Sequence, residues 1–383
     1  MKTEKVAGKE SWVVKTPRIN AAVTVQGAMM APVRFQLPDG RDASPYYVSP
    51  WQDEDTSGIE PPVLQPLRGD FFCCPFGADN KVGDEDHLPH GEAASKDWTF
   101  LSAGETQAHG SLSLKMNYSA CPGDITRELL FGRDDPHVIS RSTLKGFSGG
   151  YPLGYHSNLQ GGREGEWKLY TDTFDLGITC PDYTEPMIGG EYFALAPDAR
   201  FSSLEKIPSR WKDPDTADCS IFPSRWGFID LFTIYRKRSP EAPLAERLAW
   251  TVAVNRHEKY LWYTIKDASL LPATVFWWEN GGRHMAPWSG RNSCLGVEET
   301  CTYFANGRRL SVAPNVVSDA GIPTAITLDP DEPRMIWSLQ GVLPLENTEA
   351  PITGMSLDAQ GRPVFRDGTG RELPVPVRIA DFL

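Results

Sequence analysis

A large antiparallel β-sandwich is the fold this sequence predicts, and three observations carry the expectation. Alternation of apolar and polar residues with a period of two recurs along the whole 383-residue chain. Turn formers are abundant, with 34 Gly and 32 Pro, which suits many short strands and opposes long helices. Helix signals are few and short, the best lying over 244–249. Such a pattern belongs to stacked antiparallel sheets rather than to an α/β fold.

The elements follow in chain order. Strands are expected over 22–25, 33–37 and 71–74, each a short apolar run bounded by polar or turn residues. Over 111–118 the residues Leu112, Leu114, Met116 and Tyr118 share one face, while Ser111, Ser113, Lys115 and Asn117 share the other. That is a strand with one wet side. Another is expected over 138–144. Residues 250–254 and 260–265 flank the polar turn 255–258 and read as a hairpin rich in aromatic and β-branched residues. Further strands are expected over 273–278 and 335–339, and the tail from Asp358 reads as a final hairpin. The Pro- and Asp-rich stretch 210–218 reads as a surface loop. No repeat and no low-complexity linker divides the sequence, so one domain over 1–383 is expected.

Composition narrows the function classes. Apolar residues make up 40% and charged ones 23%, so a packed core is expected. The net charge of −12 argues against a nucleic-acid partner, which usually leaves a basic footprint. No stretch approaches the roughly 20 apolar residues a membrane-spanning helix needs. The opening MKTEKVAGKESWVV has no apolar secretion core, and the cytoplasm is the expected compartment. The seven cysteines show no CxxC spacing, and the adjacent Cys73 and Cys74 read as small buried hydrophobes.

Polar chemistry gathers in three segments among glycines and tryptophans. The first runs from Leu67-Arg68-Gly69-Asp70-Phe71-Phe72 through His87, His90 and Glu92 to Trp98. The second is Tyr151-Pro152-Leu153-Gly154-Tyr155-His156. The third runs from Phe276-Trp277-Trp278-Glu279-Asn280 through Arg283 and Trp288 to Glu298 and Glu299. His87 and His90 have an HxxH spacing, but Pro89 denies the helix that would align both rings on a metal, and no metal or cofactor is expected. A histidine donates a proton near neutral pH and a carboxylate accepts one. Flat aromatic faces with Asn and Arg nearby are a common way to hold a sugar, so the expected partner is a small carbohydrate.

The motifs GDFFCCPFG, HGE with a Trp soon after, PLGYH, WWENGG and LGVEE occur in an order that resembles the galactose mutarotase-like (aldose 1-epimerase) superfamily. GDFFCCPFG and HGE are most similar to its hexose-6-phosphate epimerase-like branch. The resemblance spans the chain from about Val23 to the closing strands. It implies a β-supersandwich with a carbohydrate cleft and an isomerase that interconverts sugar anomers without a cofactor. By that resemblance Glu298 is the general base, His156 the general acid and His90 a second active-site histidine. Arg68, Glu92, Trp98, Trp278, Asn280, Arg283 and Trp288 are the expected substrate contacts. Where the family pattern reads HGFAR this chain has HGEAASKDW, so Glu92 is expected to favour neutral sugars over sugar phosphates. Two alternatives stay open: a non-catalytic carbohydrate-binding protein, and a lyase or hydrolase using the same cleft. The hydrolase would pair Glu298 with Glu92 or Glu279, and the lyase would lean on Tyr155.

Overall fold

The computed structural model describes all residues from 1 to 383 and resolves the alternation into two large, facing antiparallel sheets. The first runs from the amino-terminal strands Glu4–Val6 and Lys9–Lys15 through Ile19–Thr24, Met30–Gln36 and Asp70–Cys73. It continues through Leu153–Gln160, Ser293–Cys301, Ala273–Asn280 and Phe228–Tyr235 to Leu176–Thr179 and Arg200–Phe201. The second is built around Leu248–Asn255, Tyr260–Asp267, Arg334–Pro344, His137–Lys145, Asp124–Gly132 and His109–Asn117. No helix is long and apolar enough to cross a membrane.

Most expected strands are present, usually one to three residues longer. In the strand His109–Asn117, Leu112, Leu114 and Met116 are buried and the residues between them are part-exposed. The expected hairpin forms with Trp250 opposite Ile265. Cys73 and Cys74 are both buried. The expected helix over 244–249 shrinks to Leu244–Arg247, because Leu248 already starts the next strand. Its β-branched and aromatic residues Trp250, Thr251 and Val252 favour the sheet. The stretch 210–218 is largely exposed, though Thr216–Ala217 pairs with Ile207–Pro208. The tail forms three strands, Ile352–Leu357, Pro363–Asp367 and Glu372–Pro374. They cover the outer face of the second sheet, where Phe365, Leu373 and Ile352 pack on Trp250, Tyr263 and Trp337.

Each central strand of the first sheet feeds two different layers, because successive side chains point to opposite faces. Phe72, Tyr155, Val297, Trp278 and Phe232 enter the main core between the sheets. Their neighbours Phe71, Trp277 and Leu231 enter a second apolar layer on the outer face. Loops rather than a third sheet cover that face, through Trp51, Val63, Leu67, Trp288 and Phe304. Both faces of these strands are therefore buried, their polar residues included.

Candidate active site

The outer face of the first sheet carries a cavity of about 530 Å³, counted to its open mouth. Its polar centre is fixed by strand register. Leu153–Gln160 lies between Asp70–Cys73 and Ser293–Cys301, which sets His156 directly across from Glu298 on one side and Phe71 on the other. His156 Nε2 stands 3.2 Å from Glu298 Oε1. The Phe71 ring stacks on the imidazole at 4.6 Å and 19°, fixing its plane.

Glu298 reaches His156 by leaning over Gly296. A Cβ added at Gly296 would stand 2.7 Å from Glu298 Oε1 and 2.8 Å from the Cβ of Trp277. No side chain larger than hydrogen fits there without moving one of them. His90 arrives from elsewhere, at the entrance to the short helix Gly91–Ser95, with a left-handed φ of 58°. Its ring lies 5.3 Å from that of His156, and its Nδ1 is 3.6 Å from Cys73 Sγ. Burial pushes the Cys73 thiol up, so sulfur keeps its proton. A thiol donating to Nδ1 leaves the His90 proton on Nε2.

The rim of the site is aromatic and cationic. The Arg283 guanidinium lies 4.8 Å from the Trp288 ring centre and 5.5 Å from that of Trp277. Its Nε donates to Glu191 at 2.6 Å, and Glu279 Oε2 is 3.7 Å away. Burial works against the Arg283 charge, but the two carboxylates outweigh it and raise its pKa. Burial lifts Glu279 to about 7, although Arg283 and the N–H groups of Arg283 and Gly282 pull the other way.

Burial also governs the central pair. It pushes Glu298 well above the carboxylate range, with Arg283 opposing. It pushes His156 well below the usual imidazole range, with the neighbouring His90 adding to the effect. An ionised Glu298 supporting a charged His156 is what the sequence leads one to expect; desolvation works against both charges. Desolvation thus favours the neutral pair, a carboxyl O–H donating to an unprotonated imidazole nitrogen, over the ion pair. His90 is lowered to about 4 by burial and by Arg283, so it too is neutral near pH 7.

Of the ten expected site residues, five line the cavity: His90, His156, Glu298, Arg283 and Trp288. The other five lie outside its lining. Arg68 is fully buried and donates to the carbonyls of Pro66, Val6 and Ala7, tying down the amino-terminal turn. Glu92 points away from the cavity to the N–H groups of Ser119 and Ala120, at 3.0 and 2.9 Å, and to Lys96. Trp98 donates to Ala93 O in the main core. Trp278 faces that core too, edge-on to Phe222 at 4.9 Å. Asn280 donates to Ser224 O at 2.8 Å.

Trp277, not Trp278, is the strand tryptophan in the site, and Leu231 stands opposite it on the next strand. Strand parity could have found both, once Glu298 is taken as a site-facing residue. Tyr183, Val63 and Leu67 also line the cavity, from irregular segments with no periodic signal. Tyr155 turns inward and donates to Ile336 O at 2.9 Å, far from a lyase role. Glu279 binds the N–H of Gly282 at 3.0 Å, so Glu298 is the carboxylate that lines the cavity.

No protein-family model and no curated protein matches the sequence. Solved structures do match it. The chain is similar to a galactose mutarotase-like protein from Clostridium acetobutylicum, with a TM-score of 0.59 and 12% identity over 90% of this chain and 98% of that one. It is similar to an aldose epimerase homologue from C. elegans, with a TM-score of 0.52 and 11% identity over 88% and 100%. A galactose mutarotase related enzyme from Lactobacillus acidophilus gives 0.51 and 9% over 88% and 99%. Likeness at such identities is likeness of fold: the chain has the galactose mutarotase-like β-sandwich, with no branch of it singled out.

Proposed function

We propose, from that fold and from the cavity on its outer face, that the protein is a carbohydrate isomerase of the aldose 1-epimerase type. The observation that carries the reading is the 3.2 Å contact of His156 Nε2 with Glu298 Oε1 in a tryptophan-walled cavity. Anomer exchange needs one group to take the proton of the anomeric hydroxyl and another to protonate the ring oxygen. The ring then opens, the aldehyde end rotates, and the reverse transfers close it on the other face. No cofactor is called for by this chemistry.

The resting proton on Glu298 passes along the hydrogen bond to His156. Glu298 is then free to accept the proton of the anomeric hydroxyl, and the imidazolium delivers one to the ring oxygen. Because the pair holds one proton throughout, the reaction starts and ends in the same state. Its neutral resting form also removes the cost of keeping two charges in a dry cavity. His90 Nε2–H, the Arg283 guanidinium, the Tyr183 hydroxyl and the unpartnered Trp277 Nε1–H are donors left for other sugar oxygens. Arg283 already faces Glu191 and Glu279, so the site suits a neutral sugar better than a phosphate ester.

Polarimetry of freshly dissolved α-aldoses tests this. Wild type should speed the approach to the anomeric equilibrium, and Glu298→Gln should lower kcat by roughly 10²–10⁴-fold, the usual worth of a general base. His156→Asn should match it, and the double variant should be little worse than either, because the two share one proton. A wild type that binds sugars and accelerates none would instead make this a binding protein.

A further inference from the structure

Resting on the epimerase reading above, we propose that the substrate is a hydroxyl-poor sugar, a deoxy or O-alkylated pyranose with a free anomeric hydroxyl, rather than a common hexose. The cavity has one polar end and one apolar wall. At the polar end His156 and Glu298 are committed to the anomeric centre. That leaves His90, Arg283, Tyr183 and the unpartnered Trp277 Nε1–H for every other oxygen of the ring.

The rest of the wall offers carbon. Val63, Leu64 and Leu67 come from one covering segment, Leu231 from the sheet, and Ala305 from the loop after Ser293–Cys301. Four of their backbone carbonyls already accept a hydrogen bond. Leu64 O accepts from Trp51 Nε1 at 2.8 Å, and Leu67 O from Ser49 N at 3.2 Å. Leu231 O accepts from Cys180 N at 2.9 Å, and Ala305 O from Ala78 N at 2.9 Å. A hydroxyl laid against this wall loses its water and gains no partner. Each such hydroxyl costs on the order of tenfold in affinity. A methyl or methylene in the same place is welcome.

A free hexose carries a hydroxyl or hydroxymethyl on every ring carbon, so it cannot avoid the wall. An apolar group on the anomeric oxygen would not solve the mismatch, since that oxygen must keep its proton for the chemistry. The apolar character must therefore lie on the ring itself, at the edge away from the anomeric carbon. Trp277 and Trp288 complete the fit, because indole faces pack on C–H surfaces and give no hydrogen bonds from them.

The test is anomer exchange, followed by NMR or polarimetry, on D-glucose and its 6-deoxy and 4,6-dideoxy counterparts. We expect kcat/KM to rise about tenfold with each hydroxyl removed from the wall side. Leu231→Asn, which puts a hydrogen-bonding group into the wall, should move the ratio back toward D-glucose by ~5-fold or more. An active wild type that prefers D-glucose, or treats all three alike, overturns this proposal and leaves the epimerase reading standing. A wild type that accelerates none of them, nor any other aldose, overturns the epimerase reading itself. An active Leu231→Asn with an unchanged ratio also overturns the proposal, since the wall would then not set the preference.

Discussion

Glu298 and Glu299 are neighbours in sequence and both buried, yet they live in opposite chemistries. Glu299 points between the sheets. There it pairs with Lys266 and accepts from Thr274 Oγ1 at 2.7 Å and Thr251 Oγ1 at 3.3 Å. Lys266 and Thr251 belong to the second sheet, so this carboxylate locks one sheet to the other. Burial lowers Lys266 to about 8 even with Glu299 beside it. Glu298, one residue earlier, has His156 alone as its side-chain partner and faces a cavity. A fully partnered carboxylate holds a fold; a partly partnered one has a lone pair left for a substrate.

The sharpest way to break this contrast is to neutralise each in turn. Glu299→Ala should cost about 3–5 kcal/mol of stability by stranding the Lys266 charge in the core, seen as a large fall in the denaturant midpoint. Glu298→Gln should change stability by no more than about 1 kcal/mol, since the resting pair is already neutral. Equal losses of stability would show that both carboxylates are structural.

Gly296 sharpens the comparison from the backbone side. Gly296→Ala should displace the Glu298 carboxylate while leaving Glu299 in place. Turnover should drop by about 100-fold, the scale of a misplacement near 1 Å, with a stability loss of about 1–3 kcal/mol from crowding the Trp277 Cβ. Wild-type turnover in that variant would mean that Glu298 need not sit where it does.

A smaller effect concerns pH. Folding depresses the His90 pKa from about 6.5 to about 4, so the unfolded chain takes up that proton first. The stability tied to neutral His90 is whole above about 6.5 and is lost as pH falls toward 4. His90→Gln should flatten that part of the stability profile; an unchanged slope would place the titration elsewhere. The smallest effect expected is none at all. Glu92→Gln should leave the ratio of glucose to glucose 6-phosphate binding unchanged in calorimetry, because Glu92 faces Ser119 and Lys96 rather than the cavity.

The same contrast explains what was legible in the sequence. Alternation made strands such as His109–Asn117 readable, because one face is drier than the other. In Ala273–Asn280 every residue is buried, so parity had no anchor, and Trp278 stood in for Trp277. Arg68, beside the Asp70 strand, has a charge that looked available; its partners include the carbonyls of Val6 and Ala7, some sixty residues away in sequence. His156 and Glu298 were singled out by motif order alone. No local signal could show them in register, since the pairing joins distant parts of the chain.

That distant pairing has a consequence for how the protein is made. His156 leaves the ribosome about 140 residues before Glu298, a delay of roughly ten seconds at ordinary synthesis rates. Until Ser293–Cys301 arrives, Leu153–Gln160 has an open edge of backbone donors and acceptors next to an apolar face. Such an edge invites pairing with other chains. The half-made protein should therefore depend on chaperones through that interval, and truncations that stop short of Ser293 should aggregate rather than yield a smaller folded product.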